Sequence, residues 1–371
     1  MGTGARADVM RTWALAALHT PRGVAPSPKG IAAPPGAPSI GHRVRVEISI
    51  DPDWRTRFTR TAHAVTAPER NALARAARSG RLQRVVRGVY REPPPRPPSR
   101  EDSHRQLVYA HDLRTEGRRV FVSESAAALW RLPVIGTPPP IVHVADGIGG
   151  GHSSRAIMRH ATGVPRDVAR IDGIRVTTLG ETVVSLLRTR SLAGGLAAVD
   201  SALSGIAEAG GARIAREELA VLLDREGRGM GQARLLGALA DGSAGSPGES
   251  VSRATMYRVG VPQPLLQFPM VDRNGEMFGD FCWPEHGLIG EFDGIGKYLR
   301  EEWMDGQDAA RVVIDEKLRE DRIRALGWRV VRWGWAVARS PAALSTLLVD
   351  AGLPRPSAHV RTTWAPVHVP A

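Results

Sequence analysis

Cysteine is almost absent, with Cys282 the only one in 371 residues. A single thiol excludes an intrachain disulfide and any cysteine-based zinc site, and it fits a reducing compartment, so the cytoplasm is the expected location. Lysine is nearly as scarce: Lys29, Lys297 and Lys317 are the only three, and every other basic residue apart from histidine is Arg. A lysine in such a chain is a candidate for a task that needs a compact ammonium, since a planar guanidinium cannot orient or activate a water in the same way. Long apolar runs are missing. No stretch approaches a membrane-spanning length, and the Trp13–Leu18 patch is too short for a signal-peptide core. No membrane partner is expected.

What is present is an ordinary globular composition, 42% hydrophobic and 24% charged, in a chain long enough for two or three domains. The net charge of +12 is unevenly spread. From Arg55 to Arg105 there are 13 Arg against 4 Asp or Glu, whereas from Ser246 to Asp350 there are 13 Lys or Arg against 16 Asp or Glu. An early segment that meets a polyanion and a late one that holds an acidic site are the expectation.

Residues 1–45 are rich in Ala, Gly and Pro and read as a disordered extension. Residues 54–92 hold a compact unit. Thr66-Ala67-Pro68-Glu69 is a capping box with Pro at the first helical position, Gly80 stops the helix, and Leu82–Val86, Arg87-Gly88 and Val89-Tyr90 form a small hairpin. A helix followed by a basic hairpin is the outline of a winged helix-turn-helix, with Arg70, Arg75, Arg78, Arg81, Arg84 and Arg87 as candidate phosphate contacts to DNA. The Pro-rich Glu92–Ser99 stretch is a linker. Residues 104–241 read as a mixed α/β domain, with helices at Glu124–Leu132, from the Thr178–Glu181 capping box to Leu187, at Ala193–Leu203 and at Glu217–Leu223, and strands at Ile141–Ala145 and Ile174–Val176. The Gly147–Gly151 run lacks phosphate-loop spacing, and His143, His152 and His160 match no compact metal site.

Gly80-Arg81-Leu82, Arg87-Gly88-Val89-Tyr90 and Ser123-Glu124-Ser125-Ala126-Ala127-Ala128-Leu129-Trp130 carry a likeness to a known family. Over roughly Arg55 to Leu203 the chain resembles AbiEi-type antitoxin proteins of type IV toxin–antitoxin systems. The resemblance implies a winged helix that binds operator DNA and, for an antitoxin-like transcriptional regulator, a cognate toxin or other protein as partner.

After the Gly242–Gly248 linker, Ser246-Pro247-Gly248-Glu249 opens a helix, Leu265–Val271 is a strand, and Gly279 to Tyr298 is an acidic hairpin turning at Pro284–Gly287. That turn pairs Trp283 with Leu288 and Cys282 with Ile289, and it sets Asp280 opposite Glu291, with Asp293 on the same face. Opposed like charges destabilise a sheet, so a divalent cation on oxygen ligands is expected to offset them, with a solvated acidic face as the alternative. On the helix Ala309–Leu326, a wheel centred on Leu318 puts Ile314 and Ala325 in the buried stripe, Lys317 and Asp321 on its flank, and Glu316 and Glu320 toward solvent. The order helix, three strands, helix, strand predicts an α/β sandwich around a small mixed sheet, followed by a tail over 351–371.

Residues 246–350 resemble the PD-(D/E)XK nuclease fold, in particular the very-short-patch-repair-like (Vsr-like) endonuclease domains. The matching residues are Ser246-Pro247-Gly248-Glu249-Ser250, Asp280-Phe281, Glu291-Phe292-Asp293-Gly294, and Glu316 to Arg322 with Gly327-Trp328-Arg329-Val330. The resemblance implies a C-terminal αβββαβ endonuclease-like domain in which Glu249, Asp280 and Glu291 bind Mg²⁺ or Mn²⁺ for phosphodiester hydrolysis. The chain departs from that pattern at Asp293, an acid where the family has lysine, so Lys317, or Lys297 from the loop, is the candidate replacement beside Asp321. Two readings stay open: a metal-dependent DNA endonuclease, and a DNA-binding regulator whose nuclease-like domain is catalytically silent.

Overall fold

The computed structural model describes residues 47–63, 66–137, 140–145, 154–160, 167–205, 212–294, 306–357 and 364, and it combines α-helices with small β-sheets. The expected disordered extension, the Gly147–Gly151 run, His152 and Lys297 lie outside the described residues. Strands β1 (Glu47–Ile48) and β2 (Thr59–Arg60) precede the first helix, α1 (Ala67–Arg78). Its capping box is complete, since Thr66 Oγ1 accepts the Glu69 N–H and the Glu69 carboxylate accepts the Thr66 N–H at 2.9 Å. Gly80, at φ +76°, turns the chain into β3 (Gln83–Val86) and β4 (Val89–Arg91), which join β2 in an antiparallel sheet ordered β2-β4-β3.

The middle of the chain carries α2 (Arg100–Thr115), α3 (Ser123–Leu129), β5 (Val142–Ala145) and β6 (Ile157–His160), the two strands pairing in parallel. Strands β7 (Val168–Ile171) and β8 (Ile174–Thr177) form a hairpin to which β1 adds alongside β7. Four helices follow: α4 (Leu179–Thr189), α5 (Leu192–Ser204), α6 (Arg216–Leu223) and α7 (Met230–Leu239). The last part runs α8 (Pro247–Val259), β9 (Leu265–Asp272), β10 (Gly275–Trp283), β11 (Leu288–Phe292), α9 (Gly306–Ala325), β12 (Arg329–Trp333), α10 (Trp335–Ala338) and α11 (Pro341–Asp350). Its sheet is ordered β12-β11-β10-β9, antiparallel except where β12 lies parallel to β11. Within the tail expected over 351–371, Trp364 is buried against Tyr257, and its indole N–H donates to the Val261 carbonyl at 2.8 Å. No helix among the described residues is long and apolar enough to cross a membrane.

One apolar core runs from Trp54 through the middle helices to Trp333, Leu344 and Trp364. Where it crosses from α5 to α8 it contains a buried polar knot. Asp200 pairs with Arg253 at 2.8 Å, both almost fully buried, and also accepts from the Ser250 hydroxyl at 2.7 Å and the Asp241 N–H at 2.8 Å. Arg253 donates its second nitrogen to the Leu239 carbonyl at 2.6 Å.

The orientation of α9 overturns the helical-wheel expectation. Ile314 and Leu318 are 58% and 55% exposed, Ala325 is exposed too, and Ile323 is the fully buried residue. Glu316 and Glu320, expected in solvent, are drawn inward into ion pairs. The reason is the way the helix docks. Arg319 reaches Glu291 and the Phe278 carbonyl, and Arg322 forms a fork on Asp272 and donates to the Gly275 carbonyl. Long arginine stems thus cover the sheet where an apolar stripe was expected to do so. Ile323 alone joins the small cluster of Phe268, Met270, Met277, Cys282 and Ile289.

Removing Arg253 leaves a carboxylate buried without its partner. We expect Arg253→Met to cost about 3–5 kcal/mol in urea unfolding, and the double variant Asp200→Asn with Arg253→Met to recover much of that loss.

Candidate carboxylate site

The hairpin of β10 and β11 has the expected register: Trp283 pairs with Leu288 and Cys282 with Ile289, followed by Phe281 with Gly290. Gly287, at φ +55°, closes the turn after a single 3-10 turn at Pro284–His286. The next step would set Asp280 against Glu291, and there the ladder gives way. The Phe292 N–H donates to Asp280 Oδ2 at 2.8 Å, so a side chain has replaced the neighbouring strand as acceptor.

The other edge of β10 is irregular at the same place. Gly279 pairs with Phe268 and Phe281 with Leu266, and the intervening Asp280 is left out of the ladder. Opposite it, Gln267 sits at φ +47°, a left-handed conformation that costs energy for a residue with a side chain. That conformation aims its amide at two acids. Gln267 Nε2 donates to Glu249 Oε2 at 3.2 Å and lies 3.5 Å from Asp280 Oδ1. No periodicity in the strand sequence signals Gln267.

Glu249 arrives from the first turn of α8. Ser246 Oγ accepts the Glu249 N–H at 3.2 Å, which is half of a capping box. The Glu249 carboxylate does not return to the Ser246 N–H; it accepts from Gly245 at 2.8 Å and turns toward Gln267. The side chain is buried, and no cation pairs with it among the described residues. Gly248 permits the approach, because a Cβ there would overlap the Phe292 ring. Burial, and then the charge of Asp280, raise Glu249 to about 7.

Glu291 is buried one strand away in a different environment. Arg319 pairs with one of its oxygens and Arg332 with the other, each at 2.6 Å, and both arginines also reach Glu316. Burial pushes the Glu291 carboxyl up, against the pull of Arg319 and Arg332. Asp293 is half-buried and anchored by its backbone N–H on the Trp333 carbonyl at 2.8 Å. Lys317 and Asp321 lie on the exposed face of α9.

The fold therefore brings Glu249 and Asp280 together, sets Glu291 beside them under arginine control, and leaves Lys317 and Asp321 on the outer side of α9. Two adjoining carboxylates, one of them buried without a cation, fit the first ligands of a hard divalent ion. Glu291 fits less well as a third, since both its oxygens are engaged. Among the described residues no three His, Cys, Asp or Glu side chains are grouped to hold a metal ion. In the middle of the chain, His143 Nδ1 lies 2.9 Å from His160 Nε2 and 3.0 Å from Glu124 Oε2, a meeting that residue spacing does not reveal, and Arg190 takes the other Glu124 oxygen at 2.6 Å.

Arg70, Arg75, Arg78, Arg81, Arg84 and Arg87 are all exposed, on α1, the turn after it and the β3–β4 hairpin. Among the described residues Arg75, Arg78, Arg81, Arg84 and Arg87 form no ion pair.

Two uncharacterized proteins of Mycobacterium tuberculosis, from different strains, are each 31% identical to this chain over 265 residues, covering 71% of this chain and 89% of the relative. The chain belongs to the family of these two proteins. No family model matches it.

A carboxyl raised to about 7 has a defined effect on stability. Its contribution is fully present below the ordinary glutamate value of 4.5 and is lost as pH rises through about 7. In chelator-treated buffer, Glu249→Gln is expected to stabilise the protein by about 1–3 kcal/mol near pH 8 and to have little effect near pH 5. Paired chemical denaturation curves at the two pH values measure the difference, and an equal effect at both would show that Glu249 is not held protonated.

Proposed function

We propose that this member of the mycobacterial protein family is a DNA-binding protein whose last domain is a divalent-metal-dependent DNA endonuclease of the PD-(D/E)XK type. One observation carries the reading: the carboxylates of Glu249 and Asp280, from different elements of an α-β-β-β-α-β unit, converge on the strained Gln267 amide. Like charges held together in a buried place call for a cation. Glu249 and Asp280 would hold Mg²⁺ or Mn²⁺, which when bound supplies a Lewis acid and a water of lowered pKa. Gln267 fixes the spacing of the two acids, and the Phe292 N–H holds the rotamer of Asp280. Arg319 and Arg332, beside the acids on Glu291, supply positive charge where a phosphodiester would gain negative charge.

The exposed arginines of α1 and the hairpin support DNA contact by a winged-helix-like unit. Arg75, Arg78, Arg81, Arg84 and Arg87 have no carboxylate partner among the described residues, and phosphate neutralisation needs uncommitted guanidinium groups. A second reading, a DNA-binding regulator with a silent nuclease-like domain and a protein partner such as a toxin, is favoured by Asp293 in the lysine position and by Lys317 facing solvent.

Plasmid, single-stranded and mismatched substrates incubated with Mg²⁺ or Mn²⁺ test the enzyme. Wild type is expected to cut, and Asp280→Ala and Glu249→Gln to lose at least about a hundredfold in rate, since each removes a metal ligand. Absence of metal-dependent cutting on every substrate rejects the endonuclease; metal binding by calorimetry without cutting then selects the silent domain. Separately, Arg75, Arg78, Arg84 and Arg87 changed together to Ala should weaken duplex binding and lower the salt slope by roughly one for each phosphate no longer neutralised. An unchanged slope would place the DNA interface elsewhere.

A further inference from the structure

A second basic feature, separate from α1 and its hairpin, is a cavity of about 570 Å³ at the C-terminal end of α2. Its wall holds five arginines from four segments. Arg114 lies in the last turn of α2, Arg118 and Arg119 follow it, Arg159 comes from β6 and Arg175 from β8. Among the described residues no Asp or Glu lines the cavity. The acid adjoining it is Glu116, which pairs with Arg118 at 3.1 Å where both side chains are well exposed. Among the described residues Arg114 and Arg175 have no carboxylate partner.

His111, also on the wall, is 1% exposed, and neither of its ring nitrogens finds a hydrogen-bond partner among the described residues. A buried imidazole with both nitrogens unmet is rare enough in a folded protein to call for a ligand or a water. Burial, with Arg114 and Arg119 adding to it, holds His111 down at about 4, so the ring is neutral near pH 7.

A helix C-terminus attracts cations, and that field accounts for Arg114, Arg118 and Arg119. It does not account for Arg159 and Arg175, which come from strands β6 and β8. Guanidinium forks match phosphate oxygens two at a time, and several converging on one concavity fit several phosphates in a row. The apolar side chains of Val120 and Ile157 complete the wall and offer a surface for an uncharged portion. The volume falls within the range of small-ligand sites.

We propose that this cavity binds an oligophosphate of nucleotide size, with Arg114 from α2 and Arg175 from β8 gripping its phosphates. The site stands independently of the nuclease reading, because neither Glu249 nor Asp280 takes part in it.

Calorimetric titration of the full chain with ATP, and separately with inorganic tripolyphosphate, at physiological ionic strength tests the proposal. Wild type is expected to bind, and Arg114→Ala combined with Arg175→Ala to weaken binding at least about tenfold, the effect of removing charge-assisted hydrogen bonds. The control, Arg228→Ala with Arg258→Ala, removes the same charge at exposed positions elsewhere and should leave affinity within about twofold. No wild-type binding to either probe, or equal losses in the two double variants, overturns the proposal. A short duplex is the third probe: if its affinity depends on Arg114 and Arg175 while ATP and tripolyphosphate do not bind, the cavity belongs to the DNA interface and the proposal fails. Thermal transitions confirm folding. Should the cavity double variant not fold, Arg114→Glu at an exposed position is expected to produce the same loss, and unchanged binding in it overturns the site.

Discussion

The buried ion pair between Asp200 and Arg253 is the constraint on which the rest of the structure depends. Taking two charges out of water is costly, and the cost is met only when the remaining hydrogen-bonding capacity is used. Here Asp200 also accepts from Ser250 and Asp241, while Arg253 donates to the Leu239 carbonyl. Burial pushes Asp200 up to about 6 even so, with Arg253 pulling the other way. The pair fixes both the rotation and the depth of α8 against α5. Glu249 lies four residues before Arg253 on that helix, hence one turn away and on nearly the same side. The contact that joins the middle of the chain to its last part therefore also sets how deeply Glu249 is buried beside Asp280.

Much of the fold is legible in the sequence because it follows short-range rules. The alternation of β10 and β11 and the Pro284–Gly287 turn specify the pairing of Trp283 with Leu288 and of Cys282 with Ile289. Thr66, Thr178 and Ser246 each cap a helix where the sequence carries a capping pattern. Helix α2 is hidden from periodicity because the residues it buries include His104, His111 and Asp112, which interrupt the apolar stripe. Helices α10 and α11 are likewise concealed in a short apolar stretch. The carboxylate pair is legible as a set of acids but not as a geometry. Gln267 reads as an ordinary strand residue, and only its left-handed backbone turns its amide onto Glu249 and Asp280.

The face of α9 departs from its wheel for a related reason. Hydrophobic periodicity assumes that water is excluded by apolar groups, and it assigns Ile314 and Leu318 to the core. In this chain arginine supplies nearly all the basic side chains, and its three-carbon stem with a flat, donor-rich end can cover a sheet while satisfying carboxylates and carbonyls. Arg319 and Arg322 do this over β9, β10 and β11. A lysine has too few directed donors for the same task, which is consistent with Lys317 lying outside the contact.

The same arginine bias divides the acids of the β9–β12 sheet region into two electrostatic classes. Glu291 is neutralised from two sides by Arg319 and Arg332, so its charge is already matched within the protein. Glu249 and Asp280 are bridged by a neutral amide and backbone N–H groups, which orient carboxylates without cancelling their repulsion. The protein can relieve that repulsion by taking up a proton, and the rise of Glu249 to about 7 expresses this route. A divalent cation at the proposed site would relieve it more fully and would release the proton on binding. On that proposal, proton and metal would compete for one pair of side chains near neutral pH. An arginine in place of Gln267 would match that charge permanently, whereas the strained glutamine orients the pair and leaves its charge unmatched within the protein.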